Sequence, residues 1–477
     1  MVLEGLDYSP VQTCDDPSPL GWTAIGEAMP SHSDPDTDHN SGGGLIIEDL
    51  DGDGNLDLSV LFLNDEAILY FGDGAGGFPR STMIRAPGGE PVLADFSQNG
   101  ALDILLSTAR ILFGDGTGEF RQSKRRKING VGITHLPDDF NNDGMLDIFF
   151  AHTDPGSDPE EMRDQVAWGK DGGGFTLDEE ALALESAGRK AFDAVLLDWD
   201  SDGDRDIYVV NDMGYDFGGN VLWRNDGDTF TDVTDDCACG VVMSGMGVSA
   251  ADYNRDGIID LYITATAHNV LLAGGSDGLF TDVTAATAAD PLFQAHEMSW
   301  GSAWVDHDND GDLDIIVLQG DLWASDSDHG SGEYEAPIHL MSQEEGLFSD
   351  VAPDLGITQL GSFRAVIAAE LNGDGVPDFV VTDVVEHPWV FLSEGCTENA
   401  WLEVIAPEHS KVVVESGGIT QTAIVSRDTG FSAAGPERVW FGLGAAQTVD
   451  RLTITTPDGV MLTGENIAAR RRVSVPL

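Results

Sequence analysis

An all-β fold, a seven-bladed β-propeller followed by a small C-terminal β-sandwich-like domain, is what the sequence predicts. Three observations lead there. One short acidic loop recurs seven times, each copy is flanked by β-branched and aromatic runs of strand length, and 58 glycines supply tight turns between short elements. At 477 residues the chain is too long for one compact core unless it is a repeat array or a closed β architecture.

The loop first occurs as "DLDGDGNLD" (49–57). It recurs as "DFSQNGALD" (95–103), "DFNNDGMLD" (139–147), "DWDSDGDRD" (198–206), "DYNRDGIID" (252–260), "DHDNDGDLD" (306–314) and "ELNGDGVPD" (370–378), with starts 44 to 64 residues apart. Positions one, three, five and nine carry oxygen side chains in every copy. They are Asp49, Asp51, Asp53 and Asp57, with Asn55 added at position seven; Asp95, Ser97, Asn99 and Asp103; and Asp139, Asn141, Asp143 and Asp147. The later copies carry Asp198, Asp200, Asp202 and Asp206; Asp252, Asn254, Asp256 and Asp260; Asp306, Asp308, Asp310 and Asp314; and Glu370, Asn372, Asp374 and Asp378. Position six is always Gly, where a sharp turn needs it.

So many carboxylates on one turn repel one another unless a cation gathers them. Alternate oxygens at this spacing suit a hard ion, and calcium is the natural choice, with up to seven sites. An EF-hand would place Glu at position twelve; Val60 and Val209 stand there instead, so strands flank the loops. Seven such ions would add about +14 to a formal net charge of −61. Loop two, with two carboxylates, and loop seven, opening on the longer Glu370, are expected to bind most weakly.

Each repeat supplies four strands in order. An apolar stretch such as "AFDAVLLD" (191–198) precedes the loop, and a run such as "RDIYVVN" or "LDIIVLQ" follows it. A third strand ("NVLWRND", 220–226) and a fourth ("TFTDVT", 229–234) complete a blade. Blade seven lacks an evident fourth strand, and "GWTAIGEAM" (21–29) has the fourth-strand pattern. Residues 1–30 are therefore expected to close the propeller of residues 31–398, because an unpaired sheet edge is a liability. Residues 399–477 form the tail domain.

The charge excludes several function classes. A surface this acidic repels phosphate backbones and anionic lipid, so nucleic acid is not an expected partner. No apolar run is long enough to span a bilayer. The start, "MVLEGLDYSPVQTCDD", lacks the basic and apolar regions of a secretion signal, which fits either an intracellular protein or a mature secreted form.

With the loops and their flanks in view, the repeats resemble FG-GAP/VCBS repeats, the calcium-loop blades also seen in integrin α-chain propellers. The segments "NAWLEVIAP" (399–407), "RVWFGLGAAQTVDRLTITTPDG" (438–459) and "RRRVSVPL" resemble the ASPIC/UnbV domain of cartilage-acidic-protein-like proteins, although the tail is short between its first two strands. The resemblance implies an extracellular or periplasmic calcium-binding propeller. Some members of the family sit in enediyne biosynthetic clusters.

Strand direction puts all seven loops on one face, called the bottom here. On the opposite, top face, His152, His268 and His387 follow second strands, and His135 and His296 lie near the starts of first strands. Three long connections also lie there (152–165, 211–220 and 320–337), and long loops without secondary structure are often functional. Glu297, Trp300, Arg364, Asp212 and Tyr215 are added near the channel mouth. These residues are candidates for a ligand site, a catalytic site or a second metal site using imidazole nitrogen. Isolated histidines at strand ends are more often scaffold.

Cys14 and Cys396 are expected to form a disulfide across the ring closure, which would require an oxidising compartment; two free thiols in a reducing cytoplasm are the alternative. "CAC" (237–239) is a redox or metal pair at most, and two cysteines make a poor metal site. "SKRRK" (123–127) reads as a solvated turn. The Gly-rich stretches lie in β-turns and form no phosphate loop. The expected function is that of an extracellular binding or adhesion module presenting its top face to a protein, glycan or small molecule. The other readings are an enzyme (a lyase, hydrolase or cyclase, as in natural-product biosynthesis) with its site at the channel mouth, and a calcium-rigidified scaffold.

Overall fold

In the computed structural model, residues 6–9, 20–25, 43–62, 66–86, 90–127, 133–152, 164–170, 174–178, 189–291, 298–320, 335–384, 388–394 and 397–475 are described. Their strands build seven meander sheets. The fourth is typical: Lys190–Leu197, Asp206–Asp212, Val221–Asn225 and Phe230–Asp232 pair in order, all antiparallel. The first strand of each sheet packs against that of the next, and Phe363–Ala369 of the seventh returns to Gly44–Glu48 of the first. A ring of sheets around a central channel results.

The two-residue period of a strand explains how the ring is glued. Along Asp206–Asp212, Ile207 and Val209 join the cluster shared with the third sheet, while Tyr208 and Val210 join that shared with the fifth. Both faces are buried, so these strands are apolar throughout rather than alternating. Seven such clusters fill the seven gaps between neighbouring sheets.

Gly21–Ala24 pairs antiparallel with Trp389–Glu394 and is the fourth strand of the seventh sheet. Upstream, Asp7–Tyr8 pairs with Arg471–Ser474 at the other end of the chain. Seven strands from the last 75 or so residues, together with Asp7–Tyr8, form two four-stranded sheets. Leu402, Val404, Phe441, Val412, Leu452 and Ile454 fill the core between them.

This tail module is not a simple appendage. It sits on the bottom face, where Trp440 Nε1 donates to Asn309 Oδ1 (2.7 Å) and Gly444 N donates to Asn309 O (2.9 Å) in the sixth loop. From there a hairpin of Asp428–Gly430 and Ala433–Ala434 enters the channel, and Ala433–Ala434 adds in parallel to Gly44–Glu48. A Cβ on Gly430 would lie 2.7 Å from Ser302 O, so the tight passage needs glycine at that point. At the hairpin tip Phe431 packs on Trp300, Phe192 and Met246. The sequence predicts the tail as a following domain and places candidate site residues, Trp300 among them, near the channel mouth. The hairpin instead fills the channel up to Trp300.

Phe431 is 5% exposed, and Phe431→Ala should lower stability by about 3 kcal/mol, read as a fall in melting temperature. Leu360→Ala, at a residue 54% exposed, should stay within about 0.5 kcal/mol of wild type.

Candidate functional site

The seven loops share one backbone geometry. Position six is left-handed in all of them, from Gly100 (φ 83°) to Gly203 (φ 97°). Position four is left-handed as well, although five loops carry Gln98, Asn142, Ser201, Arg255 and Asn309 there. The two reversals fold the loop over its first side chain. Asp49 Oδ1 accepts from Gly52 N and Asp53 N, and its Oδ2 accepts from Gly54 N (2.9 Å). Asp95, Asp139, Asp252 and Glu370 accept from loop amides in the same manner.

The ninth position has a second role that spacing alone did not reveal. One carboxylate oxygen accepts from an amide inside the loop, and the other accepts from an amide on the third strand. For Asp103 these donors are Ser97 N (2.7 Å) and Gly114 N (2.9 Å). Asp57, Asp147, Asp206, Asp260, Asp314 and Asp378 repeat the pattern. Each therefore locks its loop to its sheet, and each is almost fully buried.

Burial beside other carboxylates raises these acids. Desolvation, with neighbouring loop acids adding to it, lifts Asp57 and Asp206 to about 7 and Asp260 to about 8. Glu370 is likewise lifted to about 8 by burial and by Asp378 and Asp374. A bound cation would remove that penalty, and the donor set fits one. In loops one, four and six, three carboxylate oxygens lie within 4.8 Å of one another (Asp49, Asp51 and Asp53; Asp198, Asp200 and Asp206; Asp306, Asp308 and Asp310). Asp306 Oδ1 is buried with no hydrogen-bond partner. His307, which spacing did not single out, joins Asp308 and Asp314 in a further such group.

The top-face candidates do not come together. Trp300 and Arg364 are core residues, 2% and 1% exposed, with the guanidinium 4.0 Å from the indole centroid and Trp300 Nε1 donating to Gly320 O. His135 is buried against the edge of Phe150, and burial pushes its imidazole down to about 3. His152 is buried beside Asp164, while Asp212 pairs with Lys190 at 3.0 Å. His268 and Tyr215 are exposed. Among the described residues no three-ligand group includes His135, His152 or His268. His296, Glu297 and His387 lie outside the described residues, as do Cys14 and Cys396. Cys237 and Cys239 are bridged and buried, so "CAC" is not a free metal pair.

Residues 139–209 and 198–263 match the model of the FG-GAP-like repeat, and residues 409–476 match that of the ASPIC and UnbV domain. The chain thus carries FG-GAP-like repeats together with an ASPIC and UnbV segment. Cartilage acidic protein 1 of Homo sapiens is 25% identical over 293 residues, which are 57% of this chain and 41% of that protein. Its Mus musculus counterpart is 24% identical over 300 residues, 57% of this chain and 42% of that one. The match thus spans less than half the length of these relatives. Among solved structures, BBS1N in complex with ARL6DN superposes with a TM-score of 0.46 at 9% identity, covering 78% of this chain and 95% of that one. An Agrocybe aegerita lectin that recognises non-reducing terminal N-acetylglucosamine gives 0.39 at 16% identity, covering 84% and 95%. The segment 409–476 that matches the ASPIC and UnbV model contains the hairpin that fills the channel.

Two outcomes follow from the ninth position. Asp103→Ala strands two amides and should cost about 2–4 kcal/mol even in chelator, whereas Asp53→Ala, on the exposed rim, should cost under about 1 kcal/mol there. In metal-free protein the folded state holds protons that the unfolded chain releases, since each folded pKa is raised. Melting temperature should accordingly rise as pH falls from about 8 towards 5, and a fall across that window would refute the sign.

Proposed function

We propose that this protein is a calcium-stabilised binding module that works outside the cytoplasm and presents its top face to a protein or glycan. In this reading residues 31–398 are the propeller, residues 1–30 its closing segment and residues 399–477 the tail module. The seven loops hold calcium through positions one, three, five and nine, with the position-seven carbonyl completing the shell. The buried Cys237–Cys239 bridge supports an oxidising compartment, secreted or periplasmic. So does the similarity to a protein named for cartilage.

One observation carries the choice of face. The bottom is occupied by the tail module, while the top exposes a cluster of large apolar side chains on the connection after Asp206–Asp212. Tyr215 is 76% exposed, with Met213 (44%) and Phe217 (39%) beside it. Gly214 N donates to Met243 O (2.8 Å), which brings exposed Val242 alongside. Exposed aromatic and apolar side chains grouped in this way mark interaction surfaces more often than catalytic pockets.

Excess chelator should lower the melting temperature sharply, and calcium should restore it; an unchanged melt removes the calcium assignment. Calcium-loaded protein should capture a ligand from protein and glycan arrays. Tyr215→Ala with Phe217→Ala should abolish that capture without moving the melting temperature. Capture that survives the double substitution places the binding surface elsewhere.

A further inference from the structure

Beside the plug, high in the channel, four elements converge on a cavity of about 40 Å³. Glu90 reaches it from just before Pro91–Ala94, and Thr134 and His135 open Thr134–Asp138. Asp193 stands at a bulge in Lys190–Leu197, where the pairing slips between Ala191 and Asp193, and such bulges re-aim side chains. Asp428 comes from the plug itself. Thr134 Oγ1 lies 3.3 Å from Glu90 Oε2 and 3.5 Å from Asp193 Oδ1, and Val248 N donates to Asp193 Oδ2 at 2.9 Å.

Three carboxyl groups thus meet inside the protein. Among the described residues no ion pair joins any of them to a basic side chain. The nearby Arg427 is paired with Glu48, Glu437 and Glu408. Uncompensated charge in such a place is costly, so these acids must hold protons or face a cation.

His135 points to an occupant of the cavity. It lines the same cavity at 2% exposure, and both its ring nitrogens are buried without a hydrogen-bond partner. Asp428 Oδ2 is buried and unpartnered as well. Shared protons among the acids would by themselves leave the imidazole unsatisfied, and the cavity, larger than the roughly 15 Å³ that one water requires, has room for an ion together with a water. An ion with a water ligand satisfies both. We propose that Glu90, Asp193 and Asp428 hold one divalent cation in this cavity, with Thr134 and His135 completing its surroundings. The carboxyl oxygens must close on it, because they do not all lie within 4.8 Å of one another. The site is independent of the seven loops and contains one ligand from the tail module, so an ion there would pin the plug to the second, third and fourth sheets.

The test uses the full chain and the near-isosteric pair Glu90→Gln with Asp428→Asn. Metal content after exchange from calcium or manganese buffer should fall by one ion per chain. In chelator the variant should melt above wild type, since it lacks the buried acids; in calcium or manganese it should melt below. An unchanged ion count, with the variant melting higher in every buffer, overturns the site. Manganese-soaked crystals of the wild-type protein should show anomalous density beside Asp428, and density explained by water alone also overturns it.

Discussion

The two hydrogen bonds accepted by each ninth-position aspartate are the constraint on which the rest of the structure depends. One ties the acidic loop to itself and the other ties it to the third strand, so the loop cannot swing away from its sheet. With that geometry repeated, seven loops point to one face and seven first strands face one axis. The acid must be buried to reach the strand amide, which is why its pKa is raised and why the loop favours a cation nearby. The residue that rigidifies the blade therefore also concentrates negative charge in its loop.

Two termini then use the face and axis so defined. Asp7–Tyr8 pairs into the tail module and Gly21–Ala24 pairs into the seventh sheet, so a short N-terminal stretch belongs to both units. From the other end, the 428–434 hairpin adds a parallel partner to Gly44–Glu48, and Arg427 meets Glu48 below it. Separating the module from the ring would expose Phe431, cost Arg427 its Glu48 partner and leave the Glu48 carboxylate without a basic partner. Each of those steps is costly, and they would occur together.

The ring was legible because its signals are local. A nine-residue loop with fixed oxygens, followed by an apolar run of strand length, states its own structure wherever it falls. Position nine reads from the sequence as a candidate ligand, whereas its role as a brace is not legible there, since the strand amides it binds lie 11 to 29 residues away. The plug gave no signal at all. "SRDTGFSAAG" is short and polar, lacks a strand period, and finds its partners more than 100 residues off in sequence. The sequence places Trp300 near the channel mouth, because its strand begins on the top face. Phe431, contributed from the tail, is what turns it into core.

Burial across the loops records where the tail module rests. Position one is exposed in the fourth loop at Asp198 and half-buried at Asp49, Asp95 and Asp139. At Asp252 and Asp306 it is 3% exposed. Gly442 of the module lies so close that a Cβ there would strike Asp306 Oδ2, and Trp401 leaves no room for one on Gly375 of the seventh loop. Repulsion among acids weakens with solvent around them and strengthens without it. The same nine-residue motif therefore carries a different electrostatic load in each copy. It is lightest where water screens Asp198, and heaviest at Asp306, where the module excludes water. Identical sequence spacing does not make seven equivalent sites; their inequality is set by a domain that none of the loops encodes.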